Sequence, residues 1–168
     1  MWERKKIIFI TIILSIGLSI MLYKKNESYQ FKRDYEQHDR IAALYDALGT
    51  PKYAEAIREL GYKIPNNSTL RYDGFIYPLE IEASFSIKIG RPDSREDTDF
   101  NVWFTIKKEG TVINGSYYLN SDFAILSSNY YDTNNKTIFI PKTEEEEIRQ
   151  EIEREIDSFL HSLYEYLY

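Results

Sequence analysis

The chain has 168 residues, no cysteine and a formal net charge of −6. Without Cys there is no disulfide framework and no thiol for a lipid anchor, so the fold has to hold by packing alone and a lipoprotein is excluded. Beyond residue 25, 16 Lys/Arg face 26 Asp/Glu, a net charge of −10. Such a surface repels phosphate backbones and draws in cationic proteins, which excludes nucleic acid as the main partner.

The chain opens Met-Trp-Glu-Arg-Lys-Lys, continues from Ile7 to Tyr23 without a charged side chain, and then reads Lys24-Lys25. At ~1.5 Å per residue the run gives about 25 Å of helix, against a hydrocarbon core of about 30 Å. With Trp2, Tyr23 and the lysines in the headgroups, the pattern predicts a transmembrane signal anchor. A cleavable signal peptide would need small residues after the run, where Met21-Leu22-Tyr23 stands. The expected organisation is a cytoplasmic tail (1–6), a transmembrane signal anchor (7–23), a hinge (24–28) and an extracytoplasmic α+β domain (29–168). The protein would lie in the cell membrane as a single-pass chain, N-terminus inside and domain outside.

Phe31, Tyr35, His38, Ala42, Tyr45 and Leu48 recur at three- and four-residue steps, predicting one amphipathic helix closed by Gly49. Thr50-Pro51 predicts a second helix, capped by the hydroxyl, running to Gly61. Tyr62 to Ser68 reads as a loop. Leu79 to Ile89 alternates apolar and polar without exception, predicting a strand buried on one face. The next strand places Phe100, Val102, Phe104 and Ile106 inward and Asn101, Trp103 and Thr105 outward. Lys108-Glu109-Gly110 turns the chain into further strands at 111–119, 123–131 and 137–140, an antiparallel meander. Thr143 with Glu146 forms a capping-box pattern for a long terminal helix, whose stripe Ile148, Ile152, Ile156, Phe159, Leu160, Leu163 and Leu167 needs a surface to cover. The predicted fold class is therefore α+β: a transmembrane helix, two helices, an antiparallel meander and a long C-terminal helix packed on the sheet.

Few residues suggest catalysis. His38 and His161 lie far apart in predicted helices, without zinc-type spacing, nucleophile elbow or phosphate loop. Asp97-x-Asp99-x-Asn101 mimics the start of a calcium loop, but Val102 replaces the turn glycine and Lys108 the closing carboxylate, which leaves a solvated hairpin loop. No metal, no small-molecule cofactor and no enzymatic activity are expected. The polar sheet face offers more: Trp103 and Tyr118 pointing outward, with Glu80 and Glu82 from the first strand and Asp97 and Asp99 nearby, have the make-up of a protein-binding surface. Equally open is that the first two helices cover this face and bury its aromatics.

Asp99-Phe-Asn-Val-Trp-Phe-Thr-Ile-Lys-Lys-Glu-Gly, followed by Asn114-Gly-Ser-Tyr-Tyr-Leu and set between an N-terminal anchor and a Glu-rich terminal helix, resembles the TipC family of immunity proteins. The resemblance spans about residues 79–120 and the general layout. It implies a Gram-positive, membrane-anchored, outward-facing protein that neutralises a secreted LXG-type toxin attacking cell-wall lipid precursors. The alternative function is a structural or accessory subunit of a cell-envelope complex.

Overall fold

The computed structural model describes residues 12, 13, 15, 16, 29–63, 77–78, 85–108 and 110–168. The tail 1–6, the hinge 24–28 and the stretch carrying Glu80 and Glu82 lie outside these residues. Three helices come first: α1 (29–36), α2 (Arg40–Gly49) and α3 (Tyr53–Glu59). Two short strands, β1 (Tyr62–Lys63) and β2 (Tyr77–Pro78), pair with each other. A four-stranded antiparallel sheet follows in the order β3 (Phe85–Ile89), β4 (Asp99–Lys108), β5 (Thr111–Asn120) and β6 (Ile125–Tyr131), and α4 (Lys142–Leu167) ends the chain.

The predicted transmembrane helix is overturned. No helix among the described residues is long and apolar enough to cross a membrane, and of 7–23 only 12, 13, 15 and 16 are described, as helix. At about 25 Å the uncharged run is itself shorter than the hydrocarbon core. Of the described helices only α4 has the length, and it carries charged residues along its whole course. The fold class loses its membrane helix, and the inside-to-outside placement built on it falls too. What stands is α+β: three helices, the four-stranded sheet and the C-terminal helix.

The single helix expected over Phe31–Leu48 is two. His38 adopts φ 60°, a left-handed conformation that ends α1, and the Asp39 carboxylate accepts from the Ala42 amide at 3.0 Å to start α2. The break rotates the stripe, so His38 is exposed while Ile41, Leu44 and Leu48 are buried. No side chain caps α3, because Thr50 and Pro51 spend their carbonyls on a tight turn to the amides of Tyr53 and Ala54. The expected loop at Tyr62 begins instead as β1. The expected strand at 137–140 contributes only a bridge from Thr137 to Tyr131.

The inward alternation holds. Ile87, Ile89, Phe100, Val102, Phe104, Tyr117 and Leu119 share one core with Ile148, Ile152, Ile156, Phe159, Leu160 and Leu163 of α4, so α4 covers this face of the sheet. The capping box does not form. Glu146 pairs with Arg149 at 2.7 Å, and Glu145 turns inward instead, accepting from Tyr130 (2.6 Å), Ser128 (2.9 Å) and Lys142 (2.5 Å). Burial raises the Glu145 pKa, but these three donors outweigh it and hold the carboxyl below its usual range.

Gly115, opposite Phe104 in the ladder, lets the Phe104 ring lie flat across the strand: a Cβ on Gly115 would stand 2.2 Å from its Cζ. Phe104 is wedged between Tyr117 and Tyr130 and has nowhere to go. Gly115→Ala is therefore expected to cost about 1–3 kcal/mol in urea denaturation. A neutral result would mean that the ring can move aside.

Candidate functional site

The outward face of the sheet is open among the described residues: the helices all join the core on the other side. The ladder register arranges its side chains as a grid. One row runs Ser86, Thr105, Asn114, Tyr131, and the next runs Lys88, Trp103, Ser116, Asn129. A third places Asn101 beside Tyr118 and Ser127. Trp103 and Tyr118 are thus diagonal neighbours, 38% and 37% exposed, as the alternation predicted.

Two further aromatics extend the face. Tyr131 is 37% exposed, and Phe139, between the inward-packed Ile138 and Ile140, is 86% exposed beside the β6 edge. The same alternation that placed Trp103 outward also points to Phe139, because Ile138 and Ile140 flank it as an inward pair. At the other end of β6, Tyr118 and Leu119 pair with Ser127 and Ile125, which leaves Leu126 as the extra residue of a bulge. It is 55% exposed.

The expected carboxylates are arranged differently. Asp97 is turned into its own loop, accepting from the amide and hydroxyl of Ser94 and the amide of Asp93, bonds that hold its carboxyl below the usual range. It is a brace for the backbone and takes no part in the face. Asp99 lies beside Tyr118, and its carboxylate raises the phenol pKa. Asp99, Trp103 and Tyr118 thus come together; Glu80 and Glu82 lie outside the described residues. A positive charge lies by Trp103: Lys88 Nζ sits 5.3 Å from its ring centre.

The loop Gly90–Thr98 is not the solvated hairpin loop predicted. Arg91 lies over the Tyr45 ring at 3.8 Å and donates to the Tyr45 carbonyl. Arg95 bridges two buried carboxylates, Asp34 of α1 and Asp46 of α2, the second at 2.5 Å. Two arginines that read in sequence as part of a charged loop clamp it onto the helices. That clamp fixes the start of β4 and hence Trp103.

The two histidines, remote in sequence, line one cleft of about 310 Å³ between the α1–α2 break and α4. Four of its polar groups are bound in two pairs. The Tyr35 hydroxyl meets His161 Nδ1 at 2.9 Å, and Arg40 grips Asp157 through two nitrogens at 2.8 and 2.9 Å. Burial, with the charges of Glu165 and Asp157, keeps Tyr35 protonated beyond its ordinary range. The arrangement seals a helix seam. Among the described residues no three His, Asp or Glu side chains converge as a metal site requires.

Comparison with family models, with curated proteins and with solved structures finds no match to this chain.

Proposed function

We propose that the domain is an immunity-type inhibitor that binds a secreted protein toxin through the outward face of its sheet and neutralises it by occupation. The observation that carries this reading is the group of exposed aromatics, Trp103, Tyr118 and Tyr131 on one rigid four-stranded platform with Phe139 beside its β6 edge. Large rings held by a sheet lose little entropy on binding and make good anchors. The net charge of −10 beyond residue 25 supports a cationic partner met at a raised association rate. The likeness of about residues 79–120 and the general layout to the TipC family points to an LXG-type toxin as that partner.

Co-expression with a secreted LXG-type toxin tests the proposal. The wild-type chain should restore growth, and Trp103→Ala with Phe139→Ala should remove protection, since each anchor is worth about 2 kcal/mol or more at a hot spot. Both rings are exposed, so the variant should keep its fold by circular dichroism. Full protection by the folded double variant would rule this surface out, and a stable complex with an envelope protein in its place would favour the accessory-subunit role.

A further inference from the structure

The aromatic face is not flat. Strands about 4.8 Å apart that rise about 3.4 Å per residue set Trp103 on β4 and Tyr131 on β6 about 12 Å apart along a diagonal. The residues between them are short: Thr105, Asn114 and Ser116, with Ser86 beyond. The result is a hollow of about 440 Å³ with a ring at each end and a floor of hydroxyls and one amide. In a chain where 29% of residues are charged, Lys88 at the rim is the only charged residue lining it among the described residues.

The floor is both donor and acceptor. Thr105 Oγ1 donates to Asn114 Oδ1 at 2.9 Å, which directs the two Asn114 amide hydrogens elsewhere and leaves the Thr105 oxygen free to accept. Among the described residues the Ser86 and Ser116 hydroxyls engage no side chain. A ligand matched to this floor is rich in hydroxyls, which donate and accept alike, and is uncharged. A ligand matched to the walls has an apolar face that lies on an aromatic ring. A pyranose has both.

We propose that the hollow between Trp103 and Tyr131 is a saccharide-binding subsite for one or two hexose units of a neutral glycan. The sugar ring stacks its C–H face on Trp103, its hydroxyls take hydrogen bonds from Asn114 and Ser116 and give one to Thr105, and Tyr131 closes the far side. Lys88 selects against cationic sugars. The inference goes beyond the toxin reading and does not depend on it, because sugar binding is measured on the chain alone.

The test is saturation-transfer NMR on the full chain with maltotetraose and N,N′,N″,N‴-tetraacetylchitotetraose, together with the shift of the Trp103 indole N–H during titration. At least one of the two should bind with a Kd of roughly 1 mM, the range of a shallow preformed hollow. Trp103→Ala and Tyr131→Ala should each weaken binding at least tenfold. Ser116→Phe, which fills the hollow without removing a wall, should abolish it, and Glu147→Gln on α4 should change nothing. Absence of saturable binding by either sugar at roughly ten times that concentration overturns the proposal, as does binding that survives Ser116→Phe in a folded chain.

Discussion

Arg95→Leu is expected to lower the unfolding free energy by about 3–5 kcal/mol at pH 7, the usual cost of stripping the partner from a buried charge. Arg95 is the shared counter-ion of Asp34 and Asp46, whose side chains are 3% and 9% exposed. Without it Asp46 faces Asp34 in a desolvated seam with no cation of its own, while Asp34 keeps Arg33 at 2.8 Å. The effect has a pH signature. Burial already holds the Asp46 carboxyl above its ordinary range, and the hydrogen bond and charge of Arg95 offset this only in part. A group whose folded pKa is raised contributes stability that is full below the unfolded value, about 3.9 for Asp, and lost as pH rises through the folded value. Removing Arg95 raises that value further, so the deficit should be larger at pH 7 than at pH 4 in urea denaturation. Adding Asp34→Asn and Asp46→Asn should recover part of it. A deficit under about 1 kcal/mol at both pH values would show that the clamp carries no weight.

The second large effect is expected at Phe159→Ala, a loss of about 3–5 kcal/mol. Phe159 is fully buried in the α4 stripe and meets Tyr62 of β1 edge-on at 5.0 Å, so it joins the C-terminal helix to the small two-stranded ribbon as well as to the main core. Truncation opens a cavity that an α4 held by Ile152, Ile156 and Leu163 on the same stripe cannot close by sliding. The control is Glu147→Ala on the solvent side, expected within about 0.5 kcal/mol. Equal effects at the two positions would mean that α4 does not cover the sheet.

The reach of the sequence can be judged residue by residue. Period-two alternation placed Phe100, Val102 and Phe104 in the core and Trp103 outside it, because one slip of register would exchange the faces of the whole strand. The α4 stripe was legible for the same kind of reason. What escaped was chemistry between distant segments. Nothing in the loop 93–99 says that Arg95 will find Asp34 and Asp46, since an ion pair leaves no periodic trace. His38 read as a stripe residue because its spacing fits a continuous helix, yet its left-handed backbone ends one helix and Asp39 starts the next. The capping box failed because the helix starts at Lys142 behind Pro141, which puts Thr143 inside the first turn and not at the N-cap, and Glu146 pairs with Arg149. The predicted membrane span rested on composition, and the described helices do not supply it.

The most direct test of the central claim, that the outward sheet face is the working surface, is hydroxyl-radical footprinting of the chain alone and in complex with the neutralised toxin. Oxidation of Trp103, Tyr131 and Phe139 is expected to fall several-fold in the complex, while Tyr166 and Tyr168 at the end of α4, about half exposed, stay as reactive as before. Protection of the two terminal tyrosines with Trp103 and Phe139 unchanged would contradict the account.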